Sequence, residues 1–266
     1  MSTLATNAIT DAAGGNTATI NSYTPTESNM AGRNKIINGS MVFDQRNAGA
    51  AVTISANNLL TLDRWKSRCG TTLLNSHSVQ QSSTAPTGFV NSLLVTSLGS
   101  ASIDSTAFAA QEQRIEGLNM ADLGWGSAAA VPVTVSFWVR SSLTGTFGGY
   151  IKNGAQDRAY VFTYTVSAAN TWEQKTITIA GDTSGTWAAD NAIGLRLGWN
   201  VGSGTSLLGS AGSWGSANYY SAPGSVNVLE TSGATFYLTG VQLEAGSVAT
   251  PFEHRQYGQE LSLIHI

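Results

Sequence analysis

The stretch ATFYLTGVQLEAGSVATPFEHR, residues 234–255, decides the fold. Its first half carries apolar side chains in both pleat phases: Phe236 and Leu238 in one, Tyr237, Val241 and Leu243 in the other. A strand that is apolar on both faces is typical of the middle of a sheet. Gly240 interrupts the run, and a glycine at such a place indicates a bulge or a close backbone approach. We therefore predict an interior strand that closes a β-domain.

Outward from this stretch, alternation with a period of two residues recurs along the chain. In residues 131–140, valines and Phe137 alternate with a second set that contains Ser136, Trp138 and Arg140. Further strands are predicted at 72–81, 91–97, 107–116, 150–152, 158–166, 172–180 and 192–200, and a strand, tight turn and strand around Asn38 and Gly39. Strands do not alternate with helices as in a parallel sheet. The predicted fold is all-β, an antiparallel β-sandwich of jelly-roll type.

The composition excludes several classes of protein. Of the 266 residues 42% are hydrophobic, which suffices for a core, but only 11% are charged, about half the usual quarter. The net charge of −3 argues against nucleic acid as a partner, because that binding needs a basic surface. The single cysteine, Cys69, cannot form an intrachain disulfide and is expected to be a small buried apolar residue.

Changes in composition divide the chain. Residues 1–32 are rich in small polar residues and are expected to be an extended or disordered leader. Residues 33–260 form the predicted sandwich, with a long Gly/Ser segment at 201–233. The last residues, 261–266, read LSLIHI, and we interpret them as a translated sequencing adaptor that replaces the true C-terminus. The N-terminus lacks the pattern of a signal peptide, and no apolar run is long enough for a transmembrane helix.

Catalytic and metal-binding motifs are not found in the sequence. The histidines are far apart, and the glycine-rich runs lack the Lys-Ser/Thr ending of a phosphate loop. A glycan-cleaving enzyme needs two carboxylates that flank one bond. The acidic candidates show no spacing that favours such a pair: Glu112 with Glu116, Asp182 with Asp190, and Glu230. We therefore predict a protein without catalytic activity and without a cofactor.

The aromatic residues of the glycine-rich loops are the best candidates for ligand contacts. Exposed aromatic rings provide a flat apolar face and a polar edge at little cost in entropy, which suits stacking on sugars. Packing in the core is the alternative for any tryptophan, and we assign Trp65, Trp138 and Trp199 to the core. The predicted glycan-binding residues are Trp125, Trp187, Trp214, Tyr219 and Tyr220.

Two stretches carry a family resemblance. GRNKIINGSMVFDQRNAGA followed by LTLDRW, together with the closing ATFYLTGVQLEAGSVATPFEHRQYGQEL, resembles the receptor-binding domain of tailed-phage tail fibres. The order of strands and the closing VQLE strand are also similar to jelly-roll carbohydrate-binding modules. The resemblance implies a homotrimeric protein of the virion tail, made in the host cytoplasm, whose leader points toward other tail proteins. Such carbohydrate-binding modules often hold a calcium ion near the terminal strands, but the aspartates that often precede the closing strand are missing here, which argues against calcium in this chain.

Three functions remain open from the sequence. The first is non-catalytic binding of a host surface glycan through loop aromatics. The second is a depolymerase that cleaves this glycan, and the third is a structural subunit of the virion whose aromatic residues lie between subunits. No insertion into a membrane is expected for any of them.

Overall fold

The structure is a computed structural model, and it describes residues 32–265. Within this range the chain forms short and long strands, five 3-10 turns and one short helix. The strands are β1 (Val52–Thr53), β2 (Leu59–Leu60), β3 (Trp65–Cys69), β4 (His77–Ser82), β5 (Ser92–Ser97), β6 (Phe108–Glu116), β7 (Val133–Ser141), β8 (Gly145–Asn153), β9 (Ala159–Val166), β10 (Glu173–Ile179), β11 (Ile193–Ser203), β12 (Trp214–Gly215) and β13 (Thr235–Ala245). The 3-10 turns are Thr71–Leu73, Gly117–Asn119, Ala121–Leu123, Thr205–Leu207 and Val228–Glu230, and the helix is α1 (Tyr257–Ile264).

The strands form two antiparallel sheets that pack face to face. Sheet A has six strands in the order β1-β4-β5-β13-β7-β10. Sheet B has seven strands in the order β12-β9-β8-β11-β6-β3-β2. The architecture confirms the prediction of an all-β sandwich of jelly-roll type.

Strand β13 lies inside sheet A, between β5 and β7, as predicted from its sequence. The prediction that both of its faces are apolar is wrong, because a bulge at Gly240 (φ 59°) shifts the pleat between Thr239 and Gln242. After the shift all four large aliphatic and phenyl side chains of the strand point into the core: Phe236, Leu238, Val241 and Leu243. One glycine thus brings two pleat phases onto one face.

The core lies between the sheets and is rich in aromatic residues. Trp65 and Trp199 are fully buried, with ring centroids 5.8 Å apart, and Phe137 packs 5.3 Å from Trp199. Cys69 is buried as expected, and burial raises the pKa of its thiol to about 11. His77 is also buried, and burial lowers the pKa of its imidazole to about 4, so it is neutral near pH 7.

The strand, turn and strand predicted around Asn38 and Gly39 are not formed. The turn exists, with the Met41 N–H donating to the Asn38 carbonyl at 3.2 Å. The residues on either side of it, however, have no strand structure. They lie against β13, where the Lys35 N–H donates to the Leu243 carbonyl at 2.9 Å. The N-terminal segment of the domain therefore pairs with the closing strand instead of with itself.

The predicted leader lies outside the described residues except for Gly32. Helix α1 contains part of the suspected adaptor, and none of its residues is buried. The interpretation of residues 261–266 as an adaptor stays a prediction. In the described part of the chain, no helix has the length and apolarity needed to cross a membrane.

Candidate functional site

Three of the predicted ligand-binding tryptophans converge at one edge of the sandwich. Trp125 comes from the loop between β6 and β7, Trp187 from the loop between β10 and β11, and Trp214 from β12. Their ring centroids are 4.7 Å apart for Trp125 and Trp187, 5.3 Å for Trp125 and Trp214, and 5.5 Å for Trp187 and Trp214. Each pair packs edge to face, the favoured geometry for aromatic rings. We call these three residues the tryptophan cluster.

The indole nitrogens fix the rings of the tryptophan cluster. Trp125 Nε1 donates to the Val131 carbonyl at 2.7 Å, and Trp214 Nε1 donates to the Ala180 carbonyl at 2.8 Å. Trp187 Nε1 lies 3.2 Å from Asp182 Oδ2. Trp125 is only 8% exposed, whereas Trp187 and Trp214 are half-buried. The solvent-facing part of the cluster therefore consists of Trp187 and Trp214 in fixed orientations.

An ion pair borders the tryptophan cluster. Arg158 donates to both oxygens of Asp182, with Nε to Oδ2 at 2.9 Å and Nη2 to Oδ1 at 2.5 Å. Burial would raise the pKa of Asp182, but the bonds from Arg158 and from the Ser184 N–H outweigh it and hold this pKa below its usual value. Gly185 (φ 80°) lies against this pair, since a Cβ there would come within 2.6 Å of Arg158 Cγ. Arg158 thus supplies a polar donor beside the rings.

The two predicted tyrosines lie in different environments. Tyr219 is half-buried and packs closely on Gly209, where a Cβ would lie 2.5 Å from its ring. Tyr220 is fully buried on the outer face of sheet B, stacked on Phe108 with a centroid distance of 4.7 Å. Its hydroxyl accepts a hydrogen bond from Arg68 Nη2 at 2.9 Å. Tyr220 and Trp125 therefore offer almost no surface to a ligand in this conformation, and the glycan contacts of all five residues stay predictions.

A buried ion cluster surrounds Glu112 beneath Tyr220. Glu112 is fully buried and contacts three guanidinium groups, with distances of 2.9 Å to Arg114 Nε, 3.1 Å to Arg196 Nη1 and 3.9 Å to Arg68 Nε. The Tyr150 hydroxyl donates to its Oε2 at 2.9 Å. Burial opposes ionisation of Glu112, but the hydrogen bond from Arg114 and the charges of the three arginines hold its pKa below the usual value. The carboxylate is therefore charged and fully engaged.

The other acidic candidates are also placed by the structure. Glu116 accepts from Arg64 Nη2 at 2.6 Å, and its pKa is lowered because the bond to Arg64 outweighs burial. Asp190 and Glu230 are exposed and lie outside the buried ion cluster. A general acid in glycoside cleavage needs a raised pKa. Glu112, Glu116 and Asp182 have the opposite shift.

A second aromatic surface, not predicted from the sequence, lies on the outer face of sheet A. Trp138, assigned to the core above, is half-buried on this face. Nearby, Trp172 and Tyr237 pack edge to face with centroids 6.0 Å apart, and the Arg140 guanidinium lies 4.9 Å from the Tyr237 ring. We call Trp138, Trp172 and Tyr237 the sheet A aromatic row.

The corner near the terminal strands does not fit a calcium ion. Glu244 accepts from the Thr250 N–H at 2.9 Å and from the Thr250 hydroxyl at 2.6 Å. Glu253 accepts from the backbone N–H groups of Gly32 and Asn34 at 2.8 and 2.9 Å. Protein donors therefore already occupy the carboxylate oxygens that a calcium ion would need. Among residues 32–265 no group of three or more His, Cys, Asp or Glu side chains is arranged to hold a metal ion.

Comparison with known proteins gives only distant structural similarity. No family model and no curated protein matches the sequence. Among solved structures, the chain is similar over 80% of its length to the enzymatically active domain of tailspike protein 4 from bacteriophage CBA120, with 13% identity and a TM-score of 0.42, and it spans 21% of that chain. It is also similar over 85% of its length to the N-terminal tandem CBM22 domain of Paenibacillus barcinonensis Xyn10C, with 14% identity, a TM-score of 0.42 and 53% of that chain covered. A family 11 carbohydrate-binding module from Clostridium thermocellum matches over 75% of this chain and 96% of its own, with 11% identity and a TM-score of 0.35.

Proposed function

We propose that this chain is a non-catalytic domain of a phage tail fibre that binds a glycan on the host surface. The observation that carries the proposal is the tryptophan cluster. Loops that are far apart in sequence bring three indole rings together, and hydrogen bonds of the indole nitrogens fix Trp187 and Trp214 with part of each ring in solvent. Rigid, half-exposed aromatic rings beside a polar donor such as Arg158 suit stacking on a sugar ring.

Three further observations support the proposal. The carboxylates of Glu112, Glu116 and Asp182 are held by arginines and have lowered pKa values, which does not suit the general acid of a depolymerase. The placement in a tail fibre rests on the resemblance of the stretches around RNKIINGS and VQLE to tail-fibre domains. A weakly charged chain, with 11% charged residues, is compatible with close packing between subunits.

Replacing Trp187 and Trp214 together by alanine is expected to weaken binding of the host glycan by about 10- to 100-fold, because aromatic anchors contribute about 1.5–3 kcal/mol to such interfaces. Affinity is measured by calorimetry with purified host polysaccharide, after a glycan array has identified the sugar. The matched control is Trp172→Ala on the opposite sheet, which should keep the affinity of the unaltered protein.

A second pair of variants distinguishes the loss of a binding contact from unfolding of the protein. Trp187→Phe and Trp214→Phe keep an aromatic face, and we expect them to retain most of the affinity with a normal thermal melting curve. Unchanged affinity in a folded double alanine variant would show that the tryptophan cluster is not the binding surface. Release of reducing ends from the polysaccharide would instead identify a depolymerase.

The sheet A aromatic row favours a second candidate function, a structural role between subunits. Large rings on the solvent face of a sheet are typical of interfaces. We expect a homotrimer, with a mass of about three times 27.7 kDa by sedimentation equilibrium. Trp138→Ala combined with Tyr237→Ala should shift this equilibrium toward monomer while Trp187→Ala does not. A protein that sediments as a monomer at all concentrations would contradict the trimer.

A further inference from the structure

The outer face of sheet B concentrates basic residues in a chain whose net charge is −3. The whole chain has thirteen lysines and arginines. Five of them lie on this face, on strands β3, β6, β8 and β11: Lys66, Arg68, Arg114, Lys152 and Arg196. Arg196 lies directly opposite Arg114 on one neighbouring strand and opposite Lys152 on the other. Like charges in directly opposed positions destabilise a sheet. Here Arg114 and Arg196 both pair with Glu112, and the buried Lys152 lies over the rings of Tyr150 and Tyr220.

The carboxylates of this face do not neutralise Lys66, which lies at the exposed end of the face. Glu112 is buried among Arg68, Arg114 and Arg196, and Glu116 is bonded to Arg64. Lys66 is only half-buried, and its Nζ makes no hydrogen bond or ion pair with any residue from 32 to 265. Burial and the neighbouring charge of Arg114 lower the pKa of its ammonium group. A cation in this position is stabilised by any anion that approaches it.

An open cleft gives access to these groups. It has a volume of about 280 Å³, and Lys66 and Arg114 line it together with Arg64, Arg46 and the apolar side chain of Leu60. Arg46 is exposed at its rim. Two carboxylates also line the cleft: Asp63 accepts hydrogen bonds from the backbone and side-chain amides of Gln45 at 3.1 and 2.9 Å, and Glu116 pairs with Arg64 at 2.6 Å. Four basic side chains thus face two carboxylates in the cleft, and an excess of converging cations concentrates an anionic ligand.

We propose that this cleft binds an oxyanion of an acidic glycan, a carboxylate or sulfate group carried on a sugar ring, through Lys66 and Arg114. The ammonium and guanidinium groups supply charge-assisted hydrogen bonds to the anion. None of the residues lining the cleft is aromatic, so stacking of nucleic-acid bases has no platform there. The sugar part of this inference rests on the proposed function, whereas the anion part stands on the charges alone.

The test compares a charged oligosaccharide with its neutral partner. Oligogalacturonate and its methyl ester share one backbone and differ only in charge, and a sulfated galactan oligomer distinguishes sulfate from carboxylate. We expect at least one of the two acidic sugars to bind about tenfold more tightly than the methyl ester at low salt, with a preference that shrinks as salt is added. Lys66→Gln should remove most of this preference, and Lys66→Arg should restore it.

The matched control is Lys175→Gln on sheet A, whose lysine lies 2.6 Å from Glu173 and outside the cleft. This variant should keep the preference unchanged. In parallel, NMR of the lysine side chains follows Lys66 during addition of sodium sulfate and sodium acetate. Binding of either anion should raise the pKa of Lys66 selectively.

The outcomes separate this inference from the proposed function. Equal affinity for the acidic and neutral sugars, or a preference that survives Lys66→Gln, overturns the anion site while glycan binding at the tryptophan cluster stands. A selective response of Lys66 to sulfate or acetate, without binding of any glycan on the array, keeps the anion site and overturns the proposed function. No response of Lys66 to sulfate, acetate or the acidic sugars overturns the inference. If the protein binds single-stranded DNA, and Lys66→Gln weakens this binding as much as it weakens binding of the acidic sugars, the site would be assigned to nucleic acid instead.

Discussion

Replacement of Glu112 by glutamine is expected to lower the free energy of unfolding by about 3–5 kcal/mol, because it removes one partner from a buried ion cluster and leaves the others unpaired. Three arginines contact this carboxylate, and the Tyr150 hydroxyl donates to it. Glutamine has nearly the same volume, so the loss reports charge and hydrogen bonding instead of packing. Chemical denaturation followed by tryptophan fluorescence measures the change.

The stabilisation that Glu112 contributes to the folded protein should depend on pH in a defined direction. Its pKa in the folded protein lies below the usual pKa of a glutamate because the arginines outweigh burial. The stabilisation is therefore complete above about pH 4.5 and is lost as the pH falls through the folded pKa. The difference in stability between the unaltered protein and Glu112→Gln should be constant near neutral pH and shrink in acid.

Two comparisons make this prediction specific. Glu173→Gln breaks an ion pair with Lys175 at the surface of sheet A and should cost no more than about 1 kcal/mol. His77, whose pKa is lowered to about 4 by burial, adds its own loss of stability between about pH 6.5 and 4, and this loss should persist in the Glu112 variant. A Glu112→Gln protein as stable as Glu173→Gln would mean that the arginines find other partners or solvent.

The strands that depend on local sequence pattern could be predicted from the sequence. The alternation of polar and apolar residues in 131–140 and 158–166 predicted β7 and β9, and the two-sided run at 234–244 predicted an interior strand. The same alternation also predicts the face of the strand on which Trp138 lies. Trp138 shares a pleat phase with Ser136 and Arg140, opposite Val135, Phe137 and Val139, and this phase alone would have placed it on the outer face. The prediction of a core position for Trp138, which rested on its residue type, is therefore wrong.

The bulge at Gly240 shows why the faces of β13 could not be predicted in full. A glycine in a strand indicates that a bulge is possible, but whether the pleat shifts depends on pairing with the neighbouring strand β7, against which the register of β13 changes between Thr239 and Gln242. The shift by one residue decides which side chains enter the core. Its consequence is that Val241 and Leu243 join Phe236 and Leu238 inside.

The candidate sites depend on the order of strands, which local pattern does not encode. The basic residues of β6, β8 and β11 become neighbours only because β11 lies between β6 and β8. The tryptophan cluster likewise combines loops separated by more than 20 residues each. Residue type predicted Trp187 and Trp214 as candidates, whereas their contact with each other, and the burial of Tyr220, follow from tertiary structure.

Asn38 explains why the segment around the Asn38-Gly39 turn docks on β13 without forming strands. Its side chain is fully buried and donates to the carbonyls of Phe43 and Asp63, each at 2.9 Å. Its Oδ1 accepts from the Phe43 N–H at 3.0 Å. A side chain that bonds the backbone of its own segment competes with a strand ladder. The next residue must be glycine, because a Cβ at Gly39 would lie 2.2 Å from the carbonyl oxygen of Val241.

Replacement of Asn38 by alanine is therefore expected to destabilise the protein by about 3–5 kcal/mol, from three lost buried hydrogen bonds at about 1 kcal/mol each and a strained backbone. Its φ of 57° is left-handed, which alanine tolerates poorly. Asn38→Gly loses the same bonds without the strain and should be about 1 kcal/mol more stable than Asn38→Ala.

Asn170 isolates the backbone contribution, since it is exposed and has a φ of 56°, and its side chain makes no hydrogen bond with residues 32–265. Asn170→Ala should cost only about 1 kcal/mol. Urea denaturation of the three variants at one pH measures all of these differences. Because the Asn38 bonds join the N-terminal segment to the loop before β3, and Gly39 joins it to β13, their loss should loosen both sheets in one transition. An Asn38→Ala protein no less stable than Asn170→Ala would show that the segment is held by its contacts to β13 alone.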